Sequence, residues 1–466
     1  MTFDSIIIGA GISGLATAYY LKKAGSNVLL LESSDRVGGV IQSFDADGFW
    51  LERGPNSLRG THELLDLVDD LQLHGQLLTA NPKAPAYVYW QQALHPVPMS
   101  PPALISTKLL STRGKLRLLR EPFIAGRRDP GEESLASFVR RRLGNEILER
   151  LVAPFVSGVY AGDPEHLSVQ ASFARLAELE ASAGSLVKGG IKAMRAAKAK
   201  AEPPKRSLRA YRLCSFDRGL QTLTEALAKA LGEGVLTSAN VVSIAQNAGA
   251  KYQVTFEHSQ QTQTVEATSL VIATPSQVAA QLLQAVAPEL TPLLRAIPYT
   301  TIAAVPLAYR REQVAHPFDG FGFLAPRGQG LRTLGSIWNS SLFVNRAPDG
   351  FVLTNNFIGG ETDRTAVQLS DDELTRIVHQ DLKSVLGITG EPRRLPISRW
   401  QRAIPQYNLG HAARVVAIES ALAKRPGLHL AGNYLHGISI GDCLKNGQGI
   451  AEALQQWMSS AAGAER

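Results

Sequence analysis

One stretch near the start of the chain restricts its fold more than any other. Ser5-Ile6-Ile7-Ile8 runs into Gly9-Ala10-Gly11-Ile12-Ser13-Gly14 and then into a helix-like run through Ala24. A short β-branched strand, three glycines at G-x-G-x-x-G spacing, and an acid, Glu32, after the apolar run Val28 to Leu31 together predict a dinucleotide-binding βαβ unit. Gly9 permits the tight turn, Gly11 lets a pyrophosphate approach the backbone, and Gly14 lets the helix pack closely on the strand. The anion then meets the positive end of a helix. Glu32, followed by Ser33, stands where a ribose hydroxyl would be bound.

With 466 residues, more than one core is expected. The two cysteines, Cys214 and Cys443, suit a reducing compartment and exclude a cysteine-based zinc site. Ten histidines lie scattered without metal-binding spacing, so no metal is expected. Met1 to Asp4 lead straight into the first strand, and no uncharged apolar run reaches spanning length. The expectation is therefore a protein of the cytoplasm or an equivalent space, without signal peptide or transmembrane helix. A net charge of +7 comes from basic residues that thicken between Lys108 and Arg142 and from Lys188 to Arg212. They are interleaved with leucine and alanine rather than with stacking aromatics, which argues against nucleic acid. They read either as a peripheral membrane face or as solvated helix surface.

Along the chain, Arg36-Val37-Gly38-Gly39 follows the ribose-binding acid, and then Glu52-Arg53-Gly54-Pro55-Asn56-Ser57. A glycine pair lets backbone lie against a long cofactor and a nearby arginine can meet its phosphates, which favours FAD over NAD. Helical periodicity marks His62 to Leu73, Glu132 to Phe155, Val169 to Lys200 and Leu220 to Leu231. Pro154 and Gly158 to Pro164 are expected to end the second of these, and Pro203-Pro204 the third. Thr268 to Ala273 reads as a buried strand, and Pro298 to Pro396 as β-rich except for a helix opened by the capping box Ser370-x-x-Glu373. Gly432 and Asn433 form a glycine turn after a strand at Leu428, and Ile438, Ser439 and Ile440 lead into a last helix predicted over Gly449 to Met458. This turn would add backbone donors to the same cofactor seat. Residues 1–84, 213–295 and 397–466 are expected to form one discontinuous α/β cofactor domain. Residues 85–212 and 296–396 would form a substrate region of α+β texture.

No second G-x-G-x-x-G motif follows a strand, so no seat for a nicotinamide reductant is found. That predicts an oxidase, in which flavin carries the redox chemistry and the protein orients substrate in a dry pocket. Cys443 is either a flavin link or a small packed residue, and His436 either a proton shuttle or simply hydrogen-bonded. The runs Phe321 to Leu324 and Leu342-Phe343 suit the walls of a flat apolar substrate or an ordinary core equally well.

Taken together, these motifs resemble those of the oxygen-dependent, FAD-containing protoporphyrinogen oxidases of the flavin amine oxidase superfamily, close to their cyanobacterial and plastid branch. The most specific marks are Glu52 to Ser57, Pro154 to Pro164, Ser340 to Pro348 and Gly432 to Cys443. The resemblance implies a p-hydroxybenzoate-hydroxylase-like FAD domain, a mixed-sheet substrate domain and a helical membrane-facing insert. It implies oxidation of protoporphyrinogen IX to protoporphyrin IX in three flavin cycles, with O2 as acceptor and hydrogen peroxide as product, in haem or chlorophyll biosynthesis. It further implies FAD contacts from Gly54, Pro55, Asn56, Ser57, Val241 or Val242, Ala273, Trp400, Ile438, Ser439 and Ile440. Leu324 and Phe343 would pack on the macrocycle, with Gly158 and Gly162 as backbone wall. A ferrochelatase or magnesium chelatase as partner comes from the family alone, and a homodimer stays open. Ala86 departs from the pattern, standing where many relatives carry an arginine for a substrate propionate. Weak binding of anionic diphenyl-ether inhibitors is therefore expected. The alternatives are coproporphyrinogen III oxidation, a carotenoid desaturase or amine oxidase, and a flavoprotein without enzymatic activity.

Overall fold

A computed structural model describes residues 2–127, 131–200, 212–247 and 251–464. Pro203-Pro204 and the basic residues of 201–211 lie outside these.

The strand Thr2–Ile8 is the centre of a seven-stranded sheet. It pairs in parallel with Val28–Leu31 on one side and with the end of the long strand Gln261–Ile272 on the other. The short strands Val235–Leu236 and Leu428–Leu430 extend the parallel part, and an antiparallel hairpin built from Asn240–Gln246 and Tyr252–His258 completes the sheet. Val28–Leu31 is buried throughout, as an apolar run in a parallel sheet covered on both faces should be. Alternate residues serve the two layers. Ile7, Leu30 and Val271 pack under the helices Ile12–Lys23, Gln221–Leu231 and Ile440–Ala464. Ile6, Ile8, Leu29 and Leu31 face the hairpin and the helices Ser276–Leu282, Leu290–Arg295 and His411–Leu422.

An eight-stranded mixed sheet carries the second layer, built on Ile302–Arg310 and Phe351–Gly359 and reaching through Gly335–Ile337 and Gly322–Leu324 to Ala86–Trp90 and Ala93–Pro96. Val305, Leu307, Phe323 and Ile358 turn one face to the helix Asp371–Leu386, with its Leu374, Val378 and Leu382. The Ser370/Glu373 capping box opens that helix and left-handed Gly387 closes it.

The sequence pattern of the helices between Pro101 and Lys200 was too smooth. The run expected over Glu132 to Phe155 is broken at Gly144, whose φ is +93°. It resumes as Asn145–Ile147, a π-helical turn Leu148–Val152, and Ala153–Tyr160. Pro154 does not end it: the π-helical turn Leu148–Val152 runs straight into Ala153–Tyr160, and Val152 itself is helical. Left-handed Ala161 ends it. The next run divides at Phe173 and at left-handed Gly184 into Val169–Ser172, Ala174–Ala183 and Leu186–Lys200. The helix His411–Leu422 is additional to the elements expected from the sequence. The final helix starts at Ile440 rather than Gly449, because Ser439 and Asp442 cap it: the Ser439 hydroxyl accepts the Asp442 N–H at 3.1 Å.

A candidate flavin site between two sheets

The first turn has the geometry its glycines predict. At Gly9, with φ of +104°, a Cβ would lie 2.8 Å from the Ala273 carbonyl oxygen. At Gly14 it would lie 2.0 Å from the Gly9 oxygen. At Gly11 it would meet no protein atom within 4 Å, so packing leaves the approach to its backbone open. Ile12 and Ser13 begin the helix whose N-cap is Gly11, and no side chain caps it. Glu32 lies beside the turn: its Oε2 accepts the Ala10 N–H at 2.7 Å and its Oε1 accepts the Ser34 N–H and hydroxyl at 2.9 and 2.6 Å. Ser33 next to it is exposed.

Gly38-Gly39 folds back onto this turn. The Gly38 N–H donates to the Ala10 carbonyl at 2.8 Å, and a Cβ on Gly39 would lie 3.2 Å from the Gly11 Cα. Arg36 braces the loop by donating to the carbonyls of Val37, Gly39 and Ile41, and burial holds its guanidinium below its usual range. Gly54 is equally confined, with a prospective Cβ 2.2 Å from the Val40 oxygen. The Thr274 hydroxyl, adjoining Gly9 and Ala273, is buried without a hydrogen-bond partner. An open approach at Gly11, an acid beside it and an orphaned hydroxyl together fit a dinucleotide laid along this edge.

The two sheets meet over the loop that follows. Asn56 is buried, and its Oδ1 accepts from Asn339 Nδ2 and Asn355 Nδ2, each at 2.9 Å. Trp400 Nε1 donates to the Arg53 carbonyl at 2.9 Å. Pro55 and Ser57 flank Asn56, both half-buried. The face of the second sheet that meets this loop is set by register. One row runs Ala86, Gly322, Ile337, Asn355; the next on the same face runs Val88, Leu324, Gly335, Phe357. Lacking a side chain, Gly335 leaves a slot between Leu324 and Phe357, and Leu324 Cδ2 leans over it. Opposite stands Gly158, where a Cβ would come within 2.3 Å of Leu324 Cδ2. Gly162 packs instead on the buried Gln406, whose amide donates to the Tyr160 carbonyl at 2.9 Å.

Leu324 and Gly158 are thus in contact, with Ala86 one row away on the same sheet face, while Phe343 lies behind Ile337 of that face. Phe343 is 3% exposed, packed with Ala80 and Leu342 beneath the Arg346 guanidinium. Phe357 shares a face with Leu324, as Trp90 and Trp400 do; strand alternation in Phe351–Gly359 points to it. Val241 and Val242 lie at a β-bulge on the hairpin, Val242 47% exposed. Gly432 and Asn433 follow the strand Leu428–Leu430, and Ile438 and Ser439 lead into the helix that starts at Ile440. Cys443 is 4% exposed with its thiol pushed up to about 11 by burial, the state of a packed residue. His436 pairs with Glu419 at 2.9 Å on the surface.

The profile of the family described as flavin containing amine oxidoreductase matches residues 12–455. The chain belongs to that family. Its cofactor is accordingly a flavin, FAD, and it is an oxidoreductase. Among curated proteins, it is 37% identical to protoporphyrinogen oxidase 1, chloroplastic, of Arabidopsis thaliana, over 98% of this chain and 89% of that one. It is 32% identical to coproporphyrinogen III oxidase of Bacillus subtilis, over 96% and 97%. A crystal structure from Exiguobacterium sp., provisionally named protoporphyrinogen oxidase, superposes with a TM-score of 0.80 at 28% identity, covering 97% of this flavin oxidoreductase and 98% of that chain. Among the described residues no group of His, Cys, Asp or Glu could hold a metal, and no helix is long and apolar enough to cross a membrane.

Proposed function

We propose that this flavin oxidoreductase oxidises protoporphyrinogen IX to protoporphyrin IX, with O2 as the final acceptor and hydrogen peroxide as product. The observation that carries the reading is the sheet face described above. Its two rows, from Ala86 to Asn355 and from Val88 to Phe357, present no charged residue. A flat apolar macrocycle fits against such a wall, resting on Leu324 and Phe357, with Gly158 packed beside Leu324 at its edge. FAD, when bound, supplies the hydride acceptor. The first turn, Glu32, Arg36 to Gly39, Gly54 to Ser57, Trp400 and the Gly432 to Ile440 turn would hold it. Asn56, fixed by two amides, and the loop at Gly54 set the plane against which the substrate lies.

The same face bears on specificity. Coproporphyrinogen III carries more carboxylates than protoporphyrinogen IX, and placing a carboxylate against an uncharged wall is unfavourable without a partner. With alanine at position 86, we read the preference as protoporphyrinogen. The Bacillus relative keeps coproporphyrinogen III as the second reading. Fluorescent porphyrin formation from each porphyrinogen in air, with peroxide followed in parallel, tests this directly. Faster turnover of coproporphyrinogen would reverse the assignment.

We also infer a peripheral membrane face. Among the described residues, ten of the sixteen strongly exposed large apolar ones fall between Met99 and Met194. Leu116, Leu119 and Phe123 stand among the exposed Lys108, Arg113 and Arg120, and Val187, Ile191 and Met194 repeat at helical spacing beside Lys188, Lys192 and Arg195. Apolar side chains ringed by cations suit an anionic lipid surface. A hydrophobic product released there would pass to a ferrochelatase or magnesium chelatase.

A further inference from the structure

The segment Gln406–Gly410 joins three parts of the molecule. Tyr407 is 4% exposed. Its hydroxyl donates to the Asn433 carbonyl at 2.6 Å and accepts the Gly437 N–H at 2.8 Å. These two residues bracket the turn between the strand Leu428–Leu430 and the helix Ile440–Ala464. Burial pushes the hydroxyl well above its ordinary ionisation range, so it stays a donor. His411 stacks on the ring at 4.2 Å between centroids and 8° between planes, and burial brings this histidine down to about 4, leaving it neutral. Gly437, with φ of +102°, has no side chain of its own to anchor the turn.

On its other side the segment is tied to residues 132–168. The Ser168 N–H donates to the Tyr407 carbonyl at 2.9 Å, and the Leu409 N–H to the His166 carbonyl at 2.9 Å. The Glu132 carboxylate accepts the Gly410 N–H and, at 3.4 Å, the Ser168 hydroxyl. Gly410 is the N-cap of the helix His411–Leu422 and no side chain caps that helix; Glu132, by holding the Gly410 N–H, fixes the chain at the helix entrance.

We propose that Tyr407 is a positioning residue for the flavin: its hydroxyl fixes the Asn433 to Gly437 turn, and its backbone conveys the seating of residues 132–168 to that turn. The inference rests on the reading that this turn holds FAD. A buried hydroxyl that both donates and accepts across four residues holds two backbone groups at once, and loosening it frees both.

The test compares wild-type, Tyr407→Phe and Glu132→Gln proteins by FAD dissociation constant, flavin absorption spectrum and melting temperature of the apoprotein. Tyr407→Phe keeps the ring and its stack, and is expected to raise the dissociation constant roughly tenfold and to shift the visible flavin band. Glu132→Gln, which touches no part of the turn, should move both in the same direction by a smaller factor. An unchanged constant and spectrum in Tyr407→Phe overturn the positioning role, whatever happens to the melting temperature. An effect in Tyr407→Phe without one in Glu132→Gln overturns the link to residues 132–168. Should Tyr407→Phe not yield folded protein, Glu132→Gln carries the test alone. A wild-type chain that holds no FAD would instead overturn the reading beneath.

Discussion

At the scale of single residues, glycines in one motif have separable duties. Gly14 is confined by the Gly9 carbonyl, whereas Gly11 faces no protein atom within 4 Å. Gly11→Ala should leave the apoprotein's melting temperature unchanged and weaken FAD binding; Gly14→Ala should lower both, seen by comparing apoprotein melting with flavin content. The motif's existence was legible in the sequence, but this division of labour was not, because it depends on which atoms the fold brings against each Cα. Glu52 shows another property hidden from sequence. It is 5% exposed, receiving the Ser43 hydroxyl at 2.6 Å and the Leu220 N–H at 2.9 Å, and burial raises its pKa to about 7. The folded chain therefore binds a proton that the unfolded chain releases near its ordinary value of 4.5. Stability from this group is present below pH 4.5 and is lost as pH rises through about 7. Against Glu52→Gln, denaturant titrations should show the wild type losing up to about 3 kcal/mol across that interval.

At the scale of elements, the two sheets were unequally readable. The parallel strands Thr2–Ile8 and Val28–Leu31 declare themselves by apolar content, and the capping box at Ser370 marks its helix correctly. The proposed substrate face did not declare itself, because it is assembled from strands far apart in sequence, Ala86–Trp90, Gly322–Leu324, Gly335–Ile337 and Phe351–Gly359. An aromatic run such as Leu342-Phe343 reads as pocket wall or core from sequence alone, and only register adds that Phe357 stands in row with Leu324. The two phenylalanines should therefore fail differently. Phe357→Ala is expected to raise the KM for porphyrinogen roughly tenfold or more with little loss of stability. Phe343→Ala should cost about 3–5 kcal/mol of stability and leave KM nearly unchanged. The helices near Gly144 and Gly184 escaped prediction for a related reason: periodicity continues across a left-handed residue while the backbone does not.

At the scale of the whole molecule, a buried ionic group holds the helices between Pro101 and Lys200 together. Arg142 is fully buried, donates through Nε to Glu180 at 2.8 Å, and lies 3.4 Å from the buried Glu121. Glu121 in turn receives the Ser185 hydroxyl at 2.6 Å and the Leu186 N–H at 2.8 Å, at the start of the helix Leu186–Lys200. Arg142→Met would leave the buried Glu121 without its cation, while Glu180 keeps its two bonds to Arg141, and should cost about 3–5 kcal/mol, read as an earlier unfolding transition of this region. The outer surface of the same helices carries the proposed lipid contact. Leu119→Glu with Phe123→Glu should abolish co-flotation with anionic vesicles while turnover in detergent persists; retained flotation would rule that face out.

These scales converge on the proposal that this flavin oxidoreductase presents an uncharged sheet face to a porphyrinogen. The most direct measurement is anaerobic mixing of the oxidised holoprotein with protoporphyrinogen IX, coproporphyrinogen III and a primary amine in separate stopped-flow runs, following flavin absorbance and porphyrin fluorescence together. The account predicts fastest bleaching with protoporphyrinogen IX, matched by porphyrin formation, slower bleaching with coproporphyrinogen III, and none with the amine. Bleaching by the amine without reaction of either porphyrinogen would contradict it.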